Sequence, residues 1–233
     1  MFTRSARFYD ALYSWKDYPG ETAKLRAIIH ERRPDARTLL DVACGTGKHL
    51  ELLREVFEVE GVDINPEFVA IARDRLPGVS VHEGDMLSFD LGRTFDVVTC
   101  LFSSIAYAKT PKDLGRAIAT MAGHVKAGGV LIIEPFFESH QWELGHLAAL
   151  FVDEPDLKIA RMNQADRDGD LAVMDFHYLV ASADRIEHFT ERHEAALFSK
   201  DEYLKAFGAA GLEPEHDSEG LMGRGLYIAV KPG

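Results

Sequence analysis

A run of small residues in the segment LLDVACGTGKHL, residues 39–50, could bring a ligand close to the backbone. The small residues alternate with others, at Ala43, Gly45 and Gly47. A phosphate-binding P-loop would need glycine at Val42 and a hydroxyl at His49, and a dinucleotide fingerprint would need glycine at Leu50. Because the sequence has none of these, it favours a nucleoside over a pyrophosphate as the ligand.

Side chains at two later positions could complete a nucleoside site. Asp63 follows Gly45 by eighteen residues and ends the next apolar run, where a carboxylate can accept both ribose hydroxyls. Asp85 and Met86 follow a third strand and offer an acceptor and a thioether to the edge and the face of an adenine. We therefore expect these three strand ends to converge on one crevice.

Alternating strand and helix patterns must position these groups. Short apolar runs predict buried strands at RTLLDVA, VEGVD, FDVVTCLF and GGVLIIEPF. Helical patterns lie between them, at GKHLELLREVF, PEFVAIARDRL and PKDLGRAIATMAGHVK, and YPGETAKLRAIIHERR precedes the first strand. This βαβαβ order predicts an α/β fold with a doubly wound, mostly parallel sheet.

The pattern changes after Pro135. Between Lys158 and Ser199, three alternating segments, LKIARMNQ, LAVMDFHYLVA and IEHFTERHEAALF, predict an antiparallel meander. Ser199 and Glu202 are spaced as a capping box for one more helix, and Gly211 is placed to end it. The segment GRGLYIAVKP then predicts the last strand.

Composition narrows the partners and the compartment. A formal charge of −12, with no block rich in Lys or Arg, disfavours nucleic acid and acidic membranes, so we expect a small-molecule ligand. The chain lacks a signal-peptide core and an uncharged apolar run of about 18 residues, which predicts a cytoplasmic protein. Cys44 and Cys100 lack metal-ligand spacing, as do the meander histidines His177, His188 and His193, so we predict no metal site.

With the segments DVACGTG, GVD, EGDM, FDVVTCLFSS and GGVLIIEPFF in this order, the chain resembles the class I methyltransferases that use S-adenosylmethionine. The resemblance covers nearly the whole chain. It implies a Rossmann-like sheet with an antiparallel last strand, and S-adenosylmethionine as the cofactor. The cofactor contacts that the motifs and the resemblance predict are Tyr18, Ala43, Gly45, Gly47, Asp63, Ile64, Asp85, Met86 and Leu101.

More narrowly, the chain resembles the deoxyaminosugar N,N-dimethyltransferases of macrolide biosynthesis, which act on a dTDP-linked 3-amino sugar. The matching segments are YDALYSWKDY, LLDVACGTGKHL, LFSSIAY, EPFF, FHYLVA, LFSKDEYLKAFGAAGL and GRGL. The resemblance implies a single domain over residues 1–233. In it, the insertion 136–199 carries the meander, covers the substrate and can form the contact of a homodimer.

Six side chains are candidates for substrate binding or catalysis. The candidate substrate contacts are Phe136, Phe137, Arg161 and Arg224, the arginines because a guanidinium suits a phosphate. Tyr107 lies where the resembling enzymes place an aromatic residue or a histidine beside the amino group. The alternative is a rim aromatic that only packs on the crevice. His140, after the fifth strand, is the best histidine candidate for a base.

The choice of methyl acceptor stays open at this point. A neutral amine needs little beyond positioning, whereas a hydroxyl or carbon acceptor needs a base. The chain departs from the aminosugar enzymes on the substrate side: Phe136-Phe137 stand for Trp-Trp, residues 163–165 and 194–196 differ, and Phe2 is the residue nearest an expected N-terminal tyrosine. N-methylation of an aminosugar, O- or C-methylation of another secondary metabolite, and cofactor binding without catalysis remain the alternatives.

Overall fold

The computed structural model describes residues 2–233, which form two β-sheets and six α-helices. The strands are β1 (Thr38–Val42), β2 (Glu58–Asp63), β3 (Ser80–Glu83), β4 (Phe95–Cys100), β5 (Val125–Ile133), β6 (Leu147–Glu154), β7 (Leu157–Asp168), β8 (Leu171–Ser182), β9 (Ile186–Ala196), β10 (Glu215–Asp217) and β11 (Leu226–Val230). The helices are α1 (Tyr9–Leu12), α2 (Tyr18–Arg32), α3 (Lys48–Leu53), α4 (Pro66–Arg75), α5 (Pro111–Gly123) and α6 (Lys200–Ala209). Single 3-10 turns lie at Ala6–Phe8, Ser104–Ala108 and Ser139–Gln141.

The larger sheet has seven strands in the order β10-β11-β5-β4-β1-β2-β3. β1 pairs in parallel with β2 and β4, and the parallel pairing continues to β3 on one side and β5 on the other. β11 runs antiparallel to both β5 and β10. The predicted doubly wound α/β sheet with an antiparallel last strand is confirmed, and the short strand β10 adds an edge that the sequence pattern did not predict.

The strand order reverses between β1 and β4. The chain moves outward from β1 to β3 and then returns to the opposite side of β1 to form β4. Loops that leave the carboxyl ends of β1 and β4 therefore diverge and open a crevice between them. β4 is buried along its whole length, as its continuous apolar sequence predicts for a central parallel strand.

Local capping chemistry fixes where three of the helices begin. Asn65 Oδ1 accepts the backbone N–H of Glu67 ahead of α4, and the Thr110 hydroxyl caps α5 in the same way, each followed by a proline in the first turn. Ser199 and Glu202 form the predicted capping box of α6. These starts set the helices that lead away from the crevice.

The smaller sheet is antiparallel, with four strands in the order β6-β7-β8-β9. The sequence predicts three of these strands and misses β6. The reason lies in the segment LAALF, residues 147–151, whose side chains are apolar on both faces, so that the alternation of apolar and polar residues disappears. The residues on its outer face, Leu147 and Phe151, stay exposed to solvent.

The inner face of the smaller sheet packs on the N-terminal helix α1. Leu12 lies in a buried cluster with the inward-facing side chains of β6 to β9. The buried members of this cluster are Leu12, Val152, Ile159, Phe176, Tyr178, Val180 and Phe189. The sheet therefore stands over the crevice side of the molecule, held there through α1.

No helix within residues 2–233 is long and apolar enough to cross a membrane. Cys44 and Cys100 are free thiols and both are buried, Cys44 after β1 and Cys100 at the end of β4. Burial raises the pKa of each thiol, so both stay protonated at neutral pH.

Candidate active site

The loop after β1 is shaped by left-handed backbone conformations. Ala43 has φ 58° and Gly45 has φ 57°. A side chain added at Gly45 would meet no atom within 4 Å, because this glycine faces open space in a cavity. Gly47 differs, since an added Cβ would lie 2.9 Å from Leu76 Cδ1. Gly47 therefore allows α3 to pack closely on α4, while Ala43 and Gly45 line the cavity.

Asp63 connects the loops after β1 and β2 through hydrogen bonds. Its carboxylate accepts the backbone N–H groups of Gly45 and Asn65, each at 2.8 Å. Burial raises the pKa of Asp63, and the backbone amides that donate to it partly oppose the rise. Each carboxylate oxygen can accept a further hydrogen bond, so Asp63 can still take the two hydroxyls of a ribose.

A cavity of about 240 Å³ opens where the loops after β1, β2 and β3 meet. Six of the predicted cofactor contacts line it together: Ala43, Gly45, Asp63, Ile64, Asp85 and Met86. Ile64 is 42 % exposed although it lies inside the crevice. An uncovered apolar side chain beside Asp63 is suited to the face of a flat ring. The crevice thus fits the adenosine part of the predicted cofactor.

A narrower recess of about 30 Å³ continues from this cavity towards α2 and α3. Tyr18 and Leu101, the two remaining predicted contacts that line a cavity, lie here, and Ala43 and Gly45 are shared with the wider part. Asp41 also lines the recess; it accepts a hydrogen bond from Thr99 Oγ1 at 2.7 Å.

Buried charges of both signs surround this recess. Burial raises the pKa of Asp41 from its ordinary 3.8 to about 6. His49 also lines the recess, and its Nε2 lies 3.0 Å from a carboxylate oxygen of Glu21 that Lys16 Nζ also contacts. The recess thus offers the Asp41 carboxylate to the amino group of an amino acid.

A second and larger cavity, of about 480 Å³, lies between the crevice and the smaller sheet. Its walls come from the N-terminal segment, the loop after β4, the segment after β5, and the inner face of β6 to β9. Phe136 and Phe137 form an aromatic cluster with Trp142, with ring centroids 5.0 to 6.2 Å apart. The predicted substrate contacts Phe136, Phe137, Arg161 and Arg224 all line this cavity.

The two arginines of this cavity have no carboxylate within ion-pairing distance among residues 2–233. Arg224 Nη1 donates to Ser103 Oγ at 3.0 Å, and its guanidinium lies 5.2 Å from the centre of the Phe137 ring. Arg161 Nη1 donates to the hydroxyl of Tyr13 at 3.2 Å. Both guanidinium groups are half-buried and place two positive charges against an aromatic wall, and the buried Glu134 carboxylate acts on Arg224 without a direct ion pair.

The loop after β4, where the two cavities meet, contains two residues in strained backbone conformations. Phe102 and Ser103 both have left-handed φ angles, 52° and 62°. The carboxylate of Glu134 accepts the N–H of Phe102 at 2.7 Å, and the Ser103 hydroxyl donates to the carbonyl of Pro135 at 2.6 Å. Non-glycine residues keep such conformations only where their surroundings enforce them, and they concentrate at functional sites.

Tyr107 lies at the junction and lines both large cavities. Its hydroxyl is 2.7 Å from Nδ1 of His193, a buried residue of β9. Burial raises the pKa of the Tyr107 hydroxyl and lowers the pKa of His193 to about 4. At neutral pH both side chains are therefore uncharged.

The N-terminal segment closes over the junction. Thr3 and Ser5 donate to the Glu191 carboxylate of β9 through their backbone N–H groups, both at 3.0 Å, and through their hydroxyls. At the other side, Asn65 Nδ2 donates to the carbonyl oxygen of Phe2 at 3.0 Å. Residues 2–5 thus connect the cofactor crevice with the smaller sheet.

His140 and Gly47 do not line the two large cavities or the recess. The capping box between Glu138 and Gln141 turns the His140 side chain outward, and it is 73 % exposed. The topological argument placed the segment correctly but could not give the direction of one side chain in a 3-10 turn. Within residues 2–233, no group of three or more His, Cys, Asp or Glu side chains is arranged to hold a metal ion.

Sequence reasoning missed the role of two cavity residues, His193 and Trp142. His193 shares its inward strand face with Phe189, and that alternation could have placed it against the core. Trp142 follows an irregular turn, and no sequence pattern indicates where its ring points. It reaches the cavity because its Nε1 donates to the carbonyl of Asp166 on β7 at 2.9 Å.

Comparison with known proteins agrees with this architecture. Residues 39–129 match a family model described as a methyltransferase domain. A dTDP-3-amino-3,6-dideoxy-alpha-D-glucopyranose N,N-dimethyltransferase of Streptomyces fradiae is 40 % identical over 229 residues, covering 97 % of this chain and 90 % of the relative.

Solved structures show the same likeness. A sugar N-methyltransferase of Streptoalloteichus sp. superimposes with a TM-score of 0.90 at 42 % identity, covering 97 % of this chain and 93 % of the other. An amino pentose methyltransferase involved in calicheamicin biosynthesis, solved with bound S-adenosylmethionine, superimposes with a TM-score of 0.87 at 38 % identity, covering 99 % and 98 %.

Proposed function

This chain belongs to the S-adenosylmethionine-dependent methyltransferases, in the group of the sugar N-methyltransferases, and we propose that it methylates the amine of a nucleotide-linked aminosugar. When bound, S-adenosylmethionine supplies a methyl group on a positively charged sulfur. The observation that carries the choice of acceptor is a pair of arginines, Arg161 and Arg224, that form no direct ion pair within residues 2–233 and line an aromatic cavity next to the cofactor crevice.

Different residues of the crevice would hold different parts of the cofactor. Asp63 accepts the ribose hydroxyls, Asp85 accepts from the edge of the adenine, and Ile64 and Met86 cover its faces. The recess beside Asp41 holds the amino acid end of the cofactor. A cofactor held by these residues would supply its methyl group near the junction with the larger cavity, which Tyr107 lines.

The larger cavity suits a nucleotide-linked sugar in each of its parts. A guanidinium binds a phosphate through two parallel hydrogen bonds, so Arg224 and Arg161 hold the diphosphate. Phe136, Phe137 and Trp142 offer rings on which a nucleobase can stack. The sugar then extends towards Tyr107. The names of the similar enzymes, which include dTDP-linked aminosugar N,N-dimethyltransferases, support this class of acceptor.

The uncharged side chains at the junction favour an amine over a hydroxyl. The raised pKa of Tyr107 makes its phenolate a rare species at neutral pH, and His193, with a pKa of about 4, is a weak base. A neutral amine would need neither, because its own lone pair would form the new N–C bond as the S–C bond of the bound cofactor broke with its electron pair on sulfur. The extra proton on nitrogen would pass to bulk solvent after the transfer. The work of the site is to align the amine and to exclude water.

The proposal is tested in two stages with the purified protein. Calorimetric titration with S-adenosylmethionine and S-adenosylhomocysteine measures the cofactor site by itself. Mass spectrometry then follows a panel of acceptors: a dTDP-linked 3-aminosugar, the free aminosugar and a phenol. We expect a gain of one or two methylene masses on the nucleotide-linked amine and slow or absent reaction of the other two. Methylation of the phenol alone would favour an O-methyltransferase, and binding without any mass gain would favour a non-catalytic protein.

We further propose that the outer face of the smaller sheet joins two copies of this chain. Its exposed apolar side chains are Leu147, Phe151, Met162, Leu179 and Ile186. The strand register places Phe151 beside Ala160 and Ala160 beside Leu179, which makes the apolar surface continuous across three strands. A second copy, related by a two-fold axis, would cover it with the same surface.

Light scattering tests this assembly. The unmodified protein is expected at twice the chain mass, and Phe151→Lys is expected at the mass of one chain. Val56→Lys, which makes the same charge change at an exposed apolar residue outside the smaller sheet, serves as the control and should leave the mass unchanged. A monomeric unmodified protein at the concentration of the assay would contradict the assembly and leave the proposed reaction unaffected.

We also place the protein in the cytoplasm, on the sequence evidence alone.

A further inference from the structure

We propose that His193 is a positioning residue: it holds the hydroxyl proton of Tyr107 away from the larger cavity, so that the phenolic oxygen accepts an N–H of the substrate amine. The inference rests on the proposed function, because it concerns the amine that this function supplies. Nothing in the sequence motifs assigns a role to His193, which lies on β9 in the inserted sheet.

The His193 ring is fixed on every side. It is 1 % exposed, and the rings of Phe2 and Phe176 contact it edge-on at centroid distances of 4.6 and 5.1 Å. Its Nδ1 lies 2.7 Å from the Tyr107 oxygen, which is within ordinary hydrogen-bond length. A ring held this firmly cannot turn to serve another partner, so its hydrogen bond fixes the direction of the Tyr107 hydroxyl.

The surrounding charges decide which atom of the pair carries the proton. Nε2 of His193 is buried and lies 3.8 Å from a carboxylate oxygen of Glu191, and no hydrogen-bond acceptor reaches it within residues 2–233. Although burial opposes ionisation, the donors on Ser5 and Thr3 hold the pKa of Glu191 below its ordinary value. The nearby anion favours a proton on Nε2, which leaves Nδ1 as the acceptor. Tyr107 must then be the donor.

The orientation of Tyr107 has a chemical consequence at the amine. An oxygen that donates its proton to His193 presents its lone pairs to the cavity, where a primary or secondary amine can donate an N–H to it. That hydrogen bond turns the nitrogen lone pair towards the methyl donor. A primary amine and the monomethylated product each still carry an N–H, whereas the dimethylated product in its neutral form has none. Tyr107 can therefore hold the acceptor through two transfers and not through a third.

A matched pair of variants separates the hydrogen bond from packing. His193→Asn keeps an oxygen near the position of Nδ1, whereas His193→Leu has the same shape as Asn and no acceptor. We expect His193→Leu to lower kcat by roughly tenfold or more, since a buried hydroxyl loses its partner, with little change in KM for the acceptor. His193→Asn should retain most of kcat. Equal losses in the two variants would contradict the proposal.

A double-mutant cycle with Tyr107→Phe gives a readout that a purely structural role would not produce. If His193 acts through Tyr107, His193→Leu should cost almost nothing further in the Tyr107→Phe background. Losses that add would show that His193 acts on its own and would overturn the inference. Calorimetric affinity for S-adenosylhomocysteine, expected to be unchanged in every variant, verifies that the cofactor site is intact.

The position of the proton on the His193 ring can be tested without any methyl acceptor. Nitrogen-15 NMR of histidine-labelled protein is expected to show His193 with its proton on Nε2, and assignment is made by loss of that signal in His193→Asn. A proton on Nδ1 would overturn the inference even if the unmodified enzyme methylates an aminosugar nucleotide. Conversely, failure on that acceptor together with the Nε2 tautomer would contradict the proposed substrate and leave the Tyr107 orientation standing.

Discussion

The two cavities of the candidate active site are built in different ways. The cofactor crevice is formed by backbone at the ends of three neighbouring strands, with Ala43 and Gly45 in left-handed conformations and Asp63 fastened to backbone amides. The larger cavity is formed by long side chains from at least five separate parts of the chain, among them Trp142, Arg161 and Arg224. The crevice belongs to three neighbouring loops at one edge of the larger sheet, whereas the larger cavity depends on the whole fold.

This difference accounts for what each site can do. The crevice takes its shape from the backbone of these loops, which single side-chain substitutions change little, so it suits one kind of ligand. Side chains in the larger cavity can be replaced one at a time without loss of the sheet that carries them. Under the proposed function, we expect specificity for the methyl acceptor to reside in the second cavity and dependence on the methyl donor to reside in the first.

The largest effect is expected from filling the crevice. Gly45→Leu should lower affinity for S-adenosylmethionine by about a hundredfold or more, because the side chain enters space that the cofactor needs and the site cannot relax around it. Gly169→Leu is the matched control, since Gly169 has nearly the same φ, 58°, and equally open surroundings on an exposed turn. Calorimetry measures both. Equal affinities in the two variants would place the cofactor elsewhere.

The second effect concerns the larger cavity alone. Arg224→Leu should raise KM for the nucleotide-linked acceptor by about tenfold to a hundredfold, through loss of a charge-assisted hydrogen bond, and leave cofactor affinity unchanged. Arg185→Leu removes an exposed guanidinium from the smaller sheet and should change neither constant. If Arg224→Leu weakened the cofactor as much as the acceptor, the two cavities would not be separable in this way.

A third effect separates stability from binding within the crevice. The pKa of Asp41 rises on folding from 3.8 to about 6, so the folded state binds a proton more tightly than the unfolded state does. This contribution to stability is complete below pH 3.8 and is lost as the pH rises through 6. Asp41→Asn removes that loss, and at pH 8 it should raise the free energy of unfolding, relative to unmodified protein, by an amount on the order of 2 to 3 kcal/mol.

Chemical denaturation at pH 4 and at pH 8 measures the Asp41 effect. The advantage of Asp41→Asn should be present at pH 8 and nearly absent at pH 4, and its affinity for S-adenosylmethionine should fall. An advantage that does not change with pH would mean that Asp41 does not titrate in this range.

The smallest effect is expected from the N-terminal segment that spans both cavities. Glu191→Gln replaces the carboxylate that accepts hydrogen bonds from Thr3 and Ser5 with a neutral amide of nearly the same volume. We expect a few-fold rise in KM for the acceptor and faster hydrogen exchange in residues 3–8, since each charged hydrogen bond contributes about 1.5 to 3 kcal/mol before solvent replaces it. Glu187→Gln, which removes a surface partner of Arg4 and Arg7, is the control. Unchanged exchange in Glu191→Gln would show that the segment is held by its aromatic contacts.

The same difference explains how much the sequence predicts. The doubly wound sheet and most of the cofactor crevice follow from apolar runs, capping residues and glycine spacing, because local sequence determines them. Tyr18, predicted from the resemblance of its segment, lines the recess next to the crevice. Gly47 packs on α4 instead of lining a cavity, since a glycine pattern gives the loop and not the direction in which each glycine faces.

The acceptor side was predicted in part, because its geometry depends on contacts between residues far apart in the chain. Phe136 and Arg224, both predicted as substrate contacts, line one cavity, whereas His140 points to solvent. His193 was treated as an ordinary strand histidine, since only the folded chain brings it to Tyr107, 86 residues away. The sequence pattern does not predict β6, because apolar residues on its outer face remove the alternation of apolar and polar side chains.

A crystal structure of the protein with S-adenosylhomocysteine and a dTDP-linked 3-aminosugar tests the assignment of the two cavities most directly. We predict the adenosine against Asp63 and Ile64, the diphosphate within hydrogen-bonding distance of Arg224 or Arg161, and the sugar amine beside the Tyr107 oxygen. A sugar nucleotide bound outside the cavity of Arg224, or an amine on the far side of the sheet from Tyr107, would contradict it.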